Sequence, residues 1–248
     1  ANENVAVGYN SAYNNTTGTR IIALGTYAYE NSDTENDNIA IGYEAMHTNT
    51  AGGTANVAVG NYALDALTSG DNNIAIGLNA NGATTSGSDN IAIGTDALLV
   101  ATTGGNNIGI GTNALKAHTT GANNVALGTN ALEDNTSGHE NTAIGRYALK
   151  GNTDGQENTG VGNAAGENIT TGDYNTVIGS SALATATTAN NNTAVGYLAM
   201  TANTTGDNNV AVGASALDTN TTGYRTVAIG ADALTANTTG NNNTAVGG

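Results

Sequence analysis

The chain contains no cysteine, no proline, no tryptophan and no phenylalanine. Without cysteine there is no disulfide framework and no thiolate metal site. Aromatic residues make up 4% of the sequence, all of them tyrosine. Ala, Val, Ile, Leu and Thr must therefore do the packing, and such a set fills thin spaces between close backbones better than a thick core. Five Lys and Arg stand against twenty Asp and Glu, for a net charge of −15. A basic face is needed to bind phosphate, so nucleic acid is excluded as an expected partner. An anionic membrane surface would repel the chain for the same reason. No apolar run approaches the ~18 residues of a membrane span.

What is present is a repeat. Asn-x-Ala-x-Gly recurs with its glycine at Gly8, Gly25, Gly42, Gly60, Gly77 and Gly94 and so on to Gly247. Every interval is 17 residues except one of 18, between Gly42 and Gly60, where the extra residue falls in the turn around Gly52 and Gly53. Internal periods of this kind signal a solenoid or array. Asn209 to Arg225, NVAVGASALDTNTTGYR, is a typical copy. Residue Ala1 starts inside one unit and Gly248 ends inside another. Solenoids close their ends with caps, so residues 1–248 read as one repeat array, a segment of a longer fibrous protein.

The segment Asn-[Val/Ile/Thr]-Ala-[Val/Ile/Leu] is short and β-branched, and reads as a strand of about four residues. Thr-Thr-Gly-x-Asn is turn chemistry. The Ala-Leu segment between them is too short for a stable helix and is predicted as a second short strand. The predicted fold is all-β: a β-solenoid, or parallel β-roll, of about fifteen coils. At the usual strand spacing the rod would be on the order of 70 Å long. Side chains alternate along a strand, so Val210 and Val212 share one face and are predicted to line the interior. Ala211 then points the other way. A column held to Ala or Gly on a second face implies close approach of another backbone, and we expect a partner chain there. The competing explanation is that a narrow coil has no room for more than Ala. The Asn and Thr columns are expected to form ladders along the stack.

The motif resembles the head repeat of trimeric autotransporter adhesins, on Asn4 to Ser11, NVAVGYNS, and Asn38 to Ala45, NIAIGYEA. Its longer form, as in Asn192 to Gly206, NTAVGYLAMTANTTG, is similar to repeats of bacterial and phage tail-fibre-like surface proteins. The resemblance covers the whole chain. It implies a left-handed parallel β-roll assembled as a homotrimer, in an extended head or shaft that presents or binds something.

Residue patterns that could carry chemistry are few. His47, His118 and His139 fall in three different repeat columns without metal-ligand spacing, and read as exposed turn residues. Glu30, Asp65, Glu133, Glu167 and Asp218 share a column but lie at least two coils apart, too far for the paired carboxylates of a glycosidase. Asp71 and Asp207 sit in turns where one carboxylate and several amides make a weak calcium set. We expect no catalytic residue, no cofactor and no metal. Tyr9, Tyr43 and Tyr197 follow the strand glycine, and Tyr27, Tyr62 and Tyr147 come one residue later; they offer rings for sugar stacking or for ordinary packing. Asn-x-Thr/Ser sequons recur at Asn15, Asn135, Asn203, Asn220 and Asn237, with others at Asn14, Asn168, Asn191 and Asn242. They are candidate glycosylation sites in a secreted protein.

The sequence therefore points to a non-catalytic structural or adhesive fibre module, extracellular or on a cell or virion surface. Its expected partners are copies of itself, as homotrimer or filament, and glycans or host-surface ligands. A self-assembling, glycan-coated filament is one alternative. An ice-binding solenoid is another, although adjacent Thr residues such as Thr204 and Thr205 face opposite ways in a strand.

Overall fold

A computed structural model describes residues 3–49 and 52–247. The terminal residues Ala1 and Gly248, and Thr50 of the Thr-Thr turn, lie outside the described residues. By internal contacts the chain divides into two units, Ala1–Asn123 and Asn124–Gly248. The first carries β1 (Val5–Val7), β2 (Ile22–Leu24), β3 (Ile39–Ile41), β4 (Val57–Val59), β5 (Ile74–Ile76), β6 (Ile91–Ile93) and β7 (Ile108–Ile110). The second carries β8 (Val125–Leu127), β9 (Thr142–Ile144), β10 (Thr159–Val161), β11 (Thr176–Ile178), β12 (Thr193–Val195), β13 (Val210–Val212), β14 (Val227–Ile229) and β15 (Thr244–Val246). Within each unit successive strands pair parallel in repeat register, Val57 with Ile74 and Val210 with Val227 being examples. Each unit is thus a parallel β-solenoid with a coil of 17 residues, and equivalent glycines line up as the period requires.

Each coil has one strand, not the two expected. The strand is three residues long, and the Ala-Leu segment is a run of turns. In the coil that begins at Gly213, Ser215 and Leu217 adopt φ of 52° and 55°, and Arg225 adopts 52°. Left-handed residues recur at these three positions in coil after coil. They curl the backbone inside a few residues, where a strand would run on straight. Left-handed backbone costs a bulky L-residue roughly 1–2 kcal/mol, and burial of the Leu217 side chain offsets it. Backbone hydrogen bonds still cross between coils here: the amide of Leu217 donates to the carbonyl of Ala233 at 2.9 Å, and that of Thr221 to Thr238 at 2.8 Å. The ladder therefore runs through the turns as well as the strands.

The strand faces are reversed relative to the sequence-based expectation. Ala211 is fully buried, while Val212 is 37% exposed and Val210 half-buried. The same order holds at Ala75 and Ala92 in the first unit and at Ala143 and Ala228 in the second. The small column lines the interior, and the Val/Ile/Leu columns face outward. The reason is the thinness of the coil. A methyl group added at Gly160 would sit 2.7 Å from Cγ of Leu149 and 3.2 Å from the Ala165 carbonyl oxygen. The Leu of the turn thus reaches across the coil to the back of the strand, and nothing larger than Ala fits opposite it. Val177 is the informative exception. Its coil has Gly166 where most other coils have Leu, and both residues are buried. The larger strand residue stands opposite the missing side chain, and buried Ile169 fills the space beside Gly166.

Two buried columns of amides complete the interior. The Asn209 amide N–H donates to Oδ1 of Asn192 at 2.9 Å, its Nδ2 donates to the Gly223 carbonyl at 2.8 Å, and its Oδ1 accepts from the Thr226 amide at 2.9 Å. Every polar atom of that side chain is bonded to a neighbouring coil, which is the ladder expected of stacked amides. In the second column, Asn220 Nδ2 donates to the Gly223 carbonyl and to Oδ1 of Asn203, both at 3.0 Å.

Candidate functional site

Nothing in the described residues gathers titratable groups into a reactive cluster, and no group of three or more His, Cys, Asp or Glu there could hold a metal. Among the described residues the surfaces include the outward strand face, the turn rims and a depression. On the strand face of the first unit, both outward columns are apolar: Ile39, Val57, Ile74, Ile91 and Ile108 in one, Ile41, Val59, Ile76, Ile93 and Ile110 in the other. Ile76 is 40% exposed. Two adjacent apolar columns repeated over successive strands make a contiguous patch, and patches of this kind mark interaction surfaces rather than ordinary solvent-facing sheet. The second unit keeps the column Leu127, Ile144, Val161, Ile178, Val195, Val212 and Ile229. Its other column carries Thr142, Thr159, Thr176 and Thr193 in succession.

The turn threonines are occupied within the stack. Oγ1 of Thr68, Thr102, Thr153 and Thr204 each donates to the carbonyl of the equivalent residue one coil on, at 2.8, 3.1, 3.1 and 3.0 Å. The acidic turn residues act the same way. Asp71 Oδ1 accepts from the Thr54 amide at 2.7 Å and from Thr54 Oγ1 at 2.9 Å, and Asp207 Oδ1 accepts from the Asn190 amide at 2.7 Å. These carboxylates are rungs of a third polar ladder, which the sequence reading missed. Its signal was the frequency of Asp, Asn and Ser two residues before the Asn that opens each unit.

The histidines are not the exposed turn residues expected. His118 is fully buried, and its Nε2 bonds the Gly121 carbonyl at 2.8 Å. It occupies the column of Asn135, whose Nδ2 donates to the Gly138 carbonyl, so the imidazole reproduces the amide's bond. Burial pushes its pKa below the ordinary value, with the bond to Gly121 opposing. His47 is partly buried, 3.0 Å from Oε2 of Glu30, and His139 is half-buried.

Among the candidate glycosylation sites, Asn135, Asn203 and Asn220 are fully buried with Nδ2 bonded inside the turn. A glycan on those three nitrogens has no room in the folded coil. Asn15 and Asn237 are half-buried and make the same turn bond, at 3.3 and 3.1 Å. Asn14, Asn168, Asn191 and Asn242 are exposed.

The acidic column does not come together either. Of Glu30, Asp65, Glu133, Glu167 and Asp218, Glu30 faces His47, and Glu133 lies 3.6 Å from Lys150. Burial pushes the Asp65 carboxyl above its usual range, partly countered by the amides of Asp65 and Ala66. Tyrosines do come together, in the first unit. Tyr9, Tyr27, Tyr43 and Tyr62 form an edge-to-face row, with ring centroids 5.5, 6.1 and 5.4 Å apart. Tyr9, Tyr43 and Tyr62 are exposed. Tyr147 instead lies under Arg146, whose guanidinium carbon is 4.3 Å from the ring centroid.

One local irregularity accounts for the 18-residue interval. Glu35 stands where most coils have Gly, and is buried. Its Oε2 accepts from the amides of Asp33 and Thr34, both at 3.0 Å, and its Oε1 from the amide of Gly52 at 3.1 Å. The inserted turn in the following coil thus supplies a donor to a carboxylate that would otherwise be buried with fewer partners. Compared with protein-family models and with curated proteins, the chain matches none. Among the described residues no helix is long and apolar enough to cross a membrane.

Proposed function

We propose that this chain is a non-catalytic structural and adhesive fibre module of an extracellular, cell or virion surface, and that copies of it assemble through the outward strand face. The observation that carries this reading is the pair of apolar columns on that face, half-exposed over successive strands of the first unit. Each rung sets two branched apolar side chains toward solvent, and burying them against another chain removes apolar area at about 25 cal/mol per Å². A homotrimer, which the resemblance to adhesin heads implies, would close these faces around a common axis. An open filament is the other arrangement. Stiffness comes from the inter-coil hydrogen bonds, and repeated contact along a stack gives multivalent attachment.

Light scattering on the purified chain tests this. A trimer has three times the 24.4 kDa chain mass, and a filament has a much larger, dispersed mass. Replacing Ile39, Ile74 and Ile108 by Lys together should give a folded 24.4 kDa species. A wild-type monomer would remove the proposal. The ice-binding reading retains one observation, the column Thr142, Thr159, Thr176 and Thr193 on an outward face. Its companion column is Ile or Val, and the turn Thr hydroxyls noted above are occupied. We expect no thermal hysteresis.

A further inference from the structure

We propose that a depression on the turn side of the first unit binds an alkylammonium group, such as the lysine side chain of a partner protein. This site is separate from the strand face and goes beyond assembly. The depression has a volume of about 500 Å³ and is lined by Tyr62, Asp65 and Ala66 from the turn after β4, Asn79, Gly82 and Ala83 from the turn after β5, and Leu99 and Val100 from the turn after β6. It exists because of a sequence step. Gly82 and Ala83 fall in the columns that hold Asp65 and Ala66 in one neighbouring coil and Leu99 and Val100 in the other. With no side chain at Gly82, the middle coil leaves a hollow between Asp65 on one side and Leu99 and Val100 on the other.

The lining selects the ligand. Tyr62 and Val100 are exposed, and with Leu99, Ala66 and Ala83 they offer apolar surface and one aromatic ring. Asp65 supplies the charge. Its Oδ1 lies 3.3 Å from where a Cβ on Gly82 would be, so it overhangs the hollow. Among the described residues no lysine or arginine forms an ion pair with it, its charged neighbours being Glu44 and His47, while the other lining polar group, Asn79, already donates through Nδ2 to Asp96 Oδ1 at 2.9 Å. A carboxylate beside an aromatic ring and aliphatic walls is what an ammonium on an apolar stem requires, through charge and cation–π attraction. A pyranose would leave most of its hydroxyls without partners against so apolar a lining. An anion would be repelled by Asp65 and by a chain of net charge −15, and a neutral alkyl group would leave the half-buried carboxylate with less water.

The test is a titration of the full chain, at constant ionic strength, with n-butylammonium chloride, followed by the methyl resonances of Leu99 and Val100. n-Butanol and methyl glucoside are titrated in parallel. We expect saturable shifts with butylammonium at a dissociation constant on the order of millimolar, as a ligand of so few atoms allows. Asp65→Asn should weaken binding about tenfold and Tyr62→Ala a few-fold. Ala83→Leu, which fills the hollow from an exposed-side position, should abolish the shifts while leaving distant resonances in place. Equal response to butanol, binding of the glucoside in preference to the amine, unchanged affinity in Asp65→Asn, or no saturable shift by about 50 mM would each overturn the assignment.

Discussion

The two units share an interior and differ on the outside. Ala in the strand, Leu after the turn and the buried Asn recur in both, as at Ala58, Leu64 and Asn56 in the first and Ala211, Leu217 and Asn209 in the second, all fully buried. Outside, the first unit has two apolar strand columns, a row of four tyrosines, an enlarged turn and a hollow. The second replaces one apolar column by threonine over four strands and carries the Gly166–Val177 exchange inside. The inner columns are constrained because each side chain there touches the coil before and after it. The outer columns meet only solvent or a partner, so they are free to diverge. Whatever distinguishes the two units in recognition therefore lies on the outside, and whatever they share specifies the coil.

Substitutions can break that comparison, and the glycine that ends the strand should give the largest effect. At Gly213, φ is 141° and an added Cβ would collide with the carbonyl of Gly230. Gly213→Ala should cost about 4 kcal/mol, combining backbone strain with a clash that only backbone movement relieves. Gly52, at φ 109° with nothing within 4 Å of an added Cβ, should cost about 1 kcal/mol from strain alone. Urea unfolding of the two variants measures the gap; equal losses would show that inter-coil contact at the strand end does not matter.

Next comes the amide ladder. Asn209→Ala strands the Thr226 amide and the Gly223 carbonyl, and should cost about 3 kcal/mol. Asn56→Ala in the first unit should cost the same, since the Asn56 side chain makes the equivalent bonds, donating through Nδ2 to the Gly70 carbonyl and accepting through Oδ1 from the Asn73 amide. Hydrogen exchange of the flanking amides reports the loss locally, and a large difference between the units would show that their interiors are not equivalent.

Core exchange should be smaller and confined to one coil. Val177→Ala leaves a void beside Gly166 and should cost about 2 kcal/mol, whereas Ala228→Val should cost about 1–3 kcal/mol by overpacking against Leu217. If Val177→Ala is neutral in thermal unfolding, the exchange is coincidental.

The smallest effect concerns pH and the first unit. His118 has a folded pKa below its ordinary value of about 6.5 because burial disfavours the charged form. The unfolded state then binds more protons, so its contribution is full above the unfolded pKa and is lost as pH falls from about 6.5 toward the folded pKa. His118→Asn, which installs the residue common in that column, should flatten this dependence in unfolding curves recorded between pH 7 and pH 5. Persistence of the slope would place its origin elsewhere.

The period, the parallel register and the strand position were legible because one sequence pattern recurs and strands stack in phase with it. The face assignment was not. Periodicity says that Ala211 and Val212 point opposite ways, but which way is inward depends on how far the chain reaches across the coil. That distance is set by the left-handed residues at Ser215, Leu217 and Arg225. Asn and Asp at the equivalents of the first and last, such as Asn113, Asn130, Asn106 and Asp89, are the residues that tolerate this backbone, and they were the available signal. Leu at the middle position gives none, which is why a second strand was expected there. The ladder roles of Asn209 and Asn220 followed from the repeat. The role of His118 as a replacement amide did not, because a single histidine in a column of mixed residues carries no pattern. The hollow at Gly82 was present in the sequence as a step in two columns, visible only once the turns were known to stack.

The most direct test of assembly through the strand face uses the absence of cysteine. Ile76→Cys places a single thiol on the outward face and Ser86→Cys places one on an exposed turn. Labelling rates with a bulky maleimide, measured on the native protein and after dilution into urea, compare the two sites. The expected result is strong protection at Ile76→Cys in the native state only, with Ser86→Cys reacting at the same rate in both. Native labelling of Ile76→Cys as fast as Ser86→Cys would contradict the account, because the apolar columns would then be facing water.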